Sequence, residues 1–93
     1  MSELRIKTPC GFEARVNENA MQDLEIYDTV RQFIAALENG TPPDIRSTCV
    51  ALLGENGYKA FAAYEKKHEG FVRVDHAAAL INTVIDGLND KKK

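Results

Sequence analysis

The chain has 93 residues, a formal net charge of -2 and a pI near 5.6. That length makes one small domain with a single core, and the charge balance excludes the broad basic footprint that duplex nucleic acid demands. The longest apolar runs, Ala60 to Ala63 and Ala77 to Ile81, fall far short of the ~20 residues that cross a bilayer. The Met1 to Lys7 segment alternates charge with apolarity and lacks the apolar core of a secretory signal. The sequence reads as an intracellular protein with no membrane span.

The first seventeen residues read as a β-hairpin over 1–17. Leu4, Ile6 and Thr8 alternate with Glu3, Arg5 and Lys7, and Phe12, Ala14 and Val16 alternate with Glu13 and Arg15 around a Pro9-Cys10-Gly11 turn. Each strand then has one apolar face, which is stable only under a cover of helices. Asn17 or Asn19 is placed to cap a first helix over 20–39. Ile26, Tyr27, Val30, Phe33, Ile34 and Leu37 form its apolar side at steps of one, three or four, and Asn39-Gly40 ends it.

Thr41-Pro42-Pro43-Asp44 predicts a restart, with Thr41 as cap, Pro42 at the first helical position and Asp44 favouring the N-terminus by its charge. The second helix, 42–53, carries Ile45, Cys49, Leu52 and Leu53 inward. Gly54 and Gly57, around Asn56, supply the backbone freedom for a corner into a third helix, 56–69. That helix has Tyr58, Phe61, Ala62 and Tyr64 on one side and Lys59, Glu65, Lys66, Lys67 and Glu69 as solvated positions, and Gly70 stops it. Phe71 to Val74 is an extended link, and Asp75 caps a last helix over 75–89 whose inner face is Ala77, Leu80, Ile81, Val84, Ile85 and Leu88. Residues 90–93 form a polar tail expected to fray. The fold class is α+β and mainly α: one domain in which a hairpin precedes about four short helices.

Little in the sequence signals chemistry. Cys10 and Cys49 are far apart with no Cys or His pair beside them, so spacing signals neither a zinc site nor a disulfide framework. Cys49 reads as a small buried apolar residue. His68 and His76 lack a second metal ligand at i+3 or i+4 and a neighbouring nucleophile, and read as surface histidines. Gly54 and Gly57 lack the Lys-Ser/Thr of a phosphate loop. Lys66, Lys67 and His68 are balanced by Glu65 and Glu69 and read as a solvated face. No catalytic, cofactor or metal residue is expected, and the chain is not expected to be an enzyme.

In order, the hairpin, the charged amphipathic helix with its Gly turn, the run Leu53-Gly54-Glu55-Asn56-Gly57-Tyr58-Lys59-Ala60-Phe61, the Gly70-Phe71-Val72 step and the last helix ending in lysines resemble the tail assembly chaperones of long-tailed phages and prophages. The resemblance covers roughly residues 12–93. It implies a non-catalytic protein of the bacterial host cytoplasm that coats the tape measure protein, keeps it soluble and helps recruit tail tube subunits. A longer form made by frameshifting is common in that family, and an A-rich run encoding Lys91-Lys92-Lys93 would suit it, as would a plain solvated tail. Apolar groups at the edges of helical faces, Tyr27, Tyr64, Phe71, Leu80 and Val84, are the candidate contacts to such a client. A leftover apolar stripe would equally serve a homo-oligomer. Two readings from other classes stay open: a helix-turn-helix DNA-binding regulator using the turn between the second and third helices, and a structural or connector subunit of the virion.

Overall fold

A computed structural model describes residues 3–91 of the chain, and of residues 90 and 91 the backbone only. Strands β1 (Glu3–Lys7) and β2 (Glu13–Asn17) form a two-stranded antiparallel sheet. A single 3-10 turn, Ala20–Gln22, leads into helices α1 (Leu24–Asn39), α2 (Ile45–Glu69) and α3 (Val74–Lys91). The class is the expected one, a hairpin followed by helices. Residues 1, 2, 92 and 93, at the ends of the expected hairpin and tail, lie outside the described residues.

In the hairpin Leu4 pairs with Val16 and Ile6 with Ala14, so the period-two pattern gathers one apolar face. Ala14 and Val16 are buried, and Leu4 and Ile6 pack against the same core. β2 lies against α2 and both strands against α3, which is the helical cover the isolated hairpin needed. The core beneath consists of Val30 and Phe33 of α1, Cys49, Leu52 and Phe61 of α2, and Ala77, Leu80, Ile81, Val84 and Leu88 of α3.

The helix boundaries differ from expectation for local physical reasons. The first helix is interrupted at the 3-10 turn and restarts with Asp23, whose carboxylate accepts the Glu25 and Ile26 amides at 2.9 and 3.3 Å. Asn17 instead accepts the Asn19 amide at 2.8 Å in a local turn. Thr41 does not open α2. Its amide donates to the Ala36 carbonyl at 2.9 Å and the Gly40 amide to Leu37 at 3.3 Å, with Gly40 left-handed at φ 73°, so Thr41 closes α1 in a Schellman arrangement. Pro43 disfavours helical backbone at Pro42. The start of α2 is thereby deferred to Ile45, capped by Asp44 through the Ser47 amide at 3.1 Å. That bond holds the Asp44 carboxyl below its usual range.

The corner in α2 is narrower than two glycines suggest. Residues 45–53 and 55–69 are helical on either side of Gly54 alone, at φ 78° and ψ 165°, a backbone region open essentially only to glycine. Gly57 is helical, and its lack of a side chain serves packing, because a Cβ there would stand 2.8 Å from Leu53 Cβ. The last helix begins one residue early, at Val74, with the Arg73 carbonyl accepting the Ala77 amide at 3.1 Å. Asp75 therefore sits in the first turn and not at the cap, and α3 runs on through Lys91, past the expected end at 89.

Gly54 has open space around its Cβ position, so any cost of a side chain there is conformational. Gly54→Ala is expected to lower stability by about 1–3 kcal/mol without altering the core, measured as a shift in the urea midpoint at unchanged slope.

Candidate functional site

Two features stand out at the surface and near-surface of the described residues. The first is α1. The stripe Tyr27, Val30, Ile34, Leu37 advances in steps of three, four and three, yet only Val30 is buried. Tyr27 is 40 % exposed, Ile34 39 % and Leu37 50 %. The seam that α1 gives the core is displaced to Ile26, Val30 and Phe33, so half of its apolar arc faces solvent. Between α1 and the end of α3 this arc walls a groove of about 340 Å³, with Met21, Tyr27, Val30, Ile34 and Ile85 as its apolar lining. Arg31 places its guanidinium 5.9 Å from the Tyr27 ring and donates to the Tyr27 hydroxyl at 3.4 Å, which holds that ring on the groove.

The second feature is a polar cluster that sequence spacing does not announce. Glu65, read from sequence as a solvated position, is completely buried. Gly70 is left-handed, with φ 86°, and ends α2. The chain then folds back so that the Arg73 amide donates to Glu65 Oε1 at 3.1 Å. His76 Nδ1 stands 3.0 and 2.9 Å from the two carboxylate oxygens. A buried carboxylate is tolerated only against such donors or a cation.

Cys10 completes the cluster from the hairpin turn. Its sulfur, a Glu65 carboxylate oxygen and a ring nitrogen of His76 all lie within 4.8 Å of one another. The turn is pinned from the preceding residue of α2, since the Tyr64 hydroxyl donates to the Cys10 carbonyl at 3.0 Å. The Tyr64 ring meets Phe12 edge-on at 5.6 Å and leans on His68 at 4.2 Å. Thr8 Oγ1 is 3.2 Å from Cys10 Sγ and donates to the Phe12 carbonyl at 2.7 Å. Cys49 is far less available, being fully buried, and burial pushes its thiol up to about 11.

The five candidate contact residues divide accordingly. Leu80 and Val84 are fully buried in the core, which corrects their placement at a face edge: α3 turns the centre of its apolar arc inward under the hairpin. Tyr64 is half-buried and spent on holding the hairpin turn. Tyr27 and Phe71 are exposed, Phe71 by 61 %. Ile34 and Leu37 join Tyr27 on the surface although periodicity placed them inside. Spacing alone shows the width of an apolar arc and not which part meets the core.

The join in α2 consists of one non-helical residue, unlike the three- to four-residue turn of a helix-turn-helix. Among the described residues no helix is long and apolar enough to cross a membrane. Comparison with protein-family models, with curated proteins and with solved structures returns no match.

The Glu65 contacts join α2, the 70–73 link and α3, so removing the carboxyl strands the Arg73 amide and the His76 ring nitrogen. Glu65→Ala is expected to cost roughly 1–3 kcal/mol from those lost partners, whereas Glu69→Ala, which removes an exposed ion pair to Arg73, should cost under about 1 kcal/mol. Thermal unfolding of the two variants side by side checks the difference.

Proposed function

We propose that this chain is a non-catalytic binding protein, a tail assembly chaperone of the long-tailed phage or prophage type, which takes an amphipathic helix of the tape measure protein on the exposed arc of α1. The observation that carries this reading is the unburied stripe Tyr27, Ile34, Leu37 beside the groove closed by Ile85. Water-facing apolar residues scattered singly need no explanation, but a stripe at helical spacing beside a groove is the form that helix-in-groove recognition takes. From Tyr27 to Leu37 the helix advances about 15 Å. A client helix meets such a stripe with apolar side chains from about three turns, one every three or four residues.

The chemistry of the rim suits a transient contact. Arg31 and Glu38 border the groove and offer one charge of each sign, enough to orient a client helix without committing to a strongly charged one. The order of sequence segments that resembles the phage chaperones supports the choice of client, and with it a working location in the host cytoplasm and tail tube subunits as later partners. The same stripe would also accommodate a second copy of the chain, which the client would then displace.

Co-expression with a candidate tape measure protein tests the reading. The client is expected to become soluble and to elute with this chain on sizing. The double substitution of Tyr27→Ser and Ile34→Ser should abolish co-elution while changing stability by no more than about 1 kcal/mol, because both side chains are substantially exposed. Unchanged client solubility with no complex would remove the proposal.

A further inference from the structure

We propose that the Cys10 sulfur, the Glu65 carboxylate and the His76 Nδ1 form a binding site for a divalent transition metal ion of the zinc class. The three donors come from three separate parts of the chain: the hairpin turn, the last third of α2 and the first turn of α3. Sulfur, imidazole nitrogen and carboxylate oxygen are the three ligand types that zinc takes, and three protein ligands leave one tetrahedral corner for a solvent molecule or an incoming group. Softer sulfur and nitrogen in the set disfavour calcium and magnesium, which require mostly oxygen.

The geometry is close to what such an ion requires. Bonds of about 2.0–2.1 Å to nitrogen and oxygen put those two atoms about 3.3 Å apart in a tetrahedron. His76 Nδ1 is now 2.9 Å from Glu65 Oε2, so the pair opens by a few tenths of an ångström to admit an ion. The sulfur, already within 4.8 Å of a Glu65 oxygen and a His76 ring nitrogen, draws inward to complete the third corner.

The surroundings hold the donors in place. Glu65 is fully buried, and its Oε1 also accepts the Arg73 amide at 3.1 Å. That bond fixes the plane of the carboxylate in the way that outer partners orient metal ligands. The Arg73 guanidinium is turned away to Asp75 at 2.7 Å and Glu69 at 3.3 Å, so it does not compete for the carboxylate. Tyr64 clamps the carbonyl of Cys10, and Thr8 stands beside its sulfur. On binding, the Cys10 thiol gives up its proton to solvent, and the His76 ring binds as neutral imidazole: the hydrogen at Nδ1 passes to solvent while Nε2 carries one, taken up from solvent if the ring begins as the Nδ1–H tautomer, so that the Nδ1 lone pair is directed at the ion. An ion held there would tie the hairpin to both long helices. The inference does not depend on the chaperone reading, since the α1 groove shares none of these residues.

Cobalt(II), added to the reduced full-length chain, is the probe. The expected result is a thiolate-to-cobalt charge-transfer band in the near ultraviolet, with strong visible bands of tetrahedral coordination, saturating at one equivalent and displaced by zinc. Cys10→Ser should weaken binding at least 100-fold, a loss at or beyond the upper end of the ~10–100-fold that changing an outer-shell partner alone costs. Cys49→Ala should leave the bands intact. A second measurement needs no substitution: zinc should slow alkylation of Cys10 at least tenfold on the unaltered protein, read by peptide mass. Absence of the charge-transfer band, bands that persist in Cys10→Ser, or an alkylation rate of Cys10 unaffected by zinc would each overturn the proposal.

Discussion

A single buried carboxylate organises the half of this molecule that the hairpin covers. Glu65 lies at the bottom of a contact between α2, the returning link and the start of α3, where the Arg73 amide meets one of its oxygens and the His76 ring meets both. A carboxylate without exposure can persist there only because donors meet it, so the path of the chain after Gly70 is constrained to deliver Arg73 and His76 to it. That path sets where α3 begins. Leu80, Ile81, Val84 and Leu88 of that helix point inward under the sheet, at the spacing of one helical face.

The hairpin is held by the same stretch of α2. Tyr64 reaches the carbonyl of Cys10, Phe61 meets Phe12 edge-on at 5.4 Å, and Glu65 follows immediately. One turn and a half of helix thus joins the N-terminal strands to the C-terminal helix. The first helix is bound differently: it packs on α2 and the 3-10 turn, contributes Val30 and Phe33 to the core, and leaves Tyr27, Ile34 and Leu37 outside. The molecule therefore has a tightly organised end, where polar groups are paired off, and an open apolar arc on α1.

How much of this was legible in the sequence depends on the distance over which each signal acts. Alternation in residues 3–17, the Asn39-Gly40 stop and the break at Gly54 are local, and all appear in the structure. Cap assignments failed where one local signal was claimed by its neighbour: Thr41 is consumed in closing α1, and Pro43 disfavours the helical start that Pro42 would otherwise favour. Gly57 looked like a second turn residue and proved to be a contact residue, a distinction that depends on Leu53 in three dimensions. Glu65 was the least legible residue. Surrounded by Lys66, Lys67 and Glu69, it has the sequence context of a solvated helix face, and only the return of the chain at Gly70 gives it partners. The Cys10, Glu65 and His76 cluster was hidden for the same reason, since its members are spread over three elements and no short spacing links them.

The central claim, that the Glu65 carboxylate fixes the link and the start of α3, concerns one backbone amide above all. Arg73 lies in the link and not within a helix, so nothing in regular secondary structure protects its N–H, and its partner is the Glu65 side chain. Residue-resolved hydrogen exchange on the native protein measures that bond directly. The account predicts that the Arg73 amide exchanges as slowly as the buried amides around Leu80 and Ile81 in α3. Exchange at the rate of an exposed loop amide, with α3 itself still protected, would contradict it.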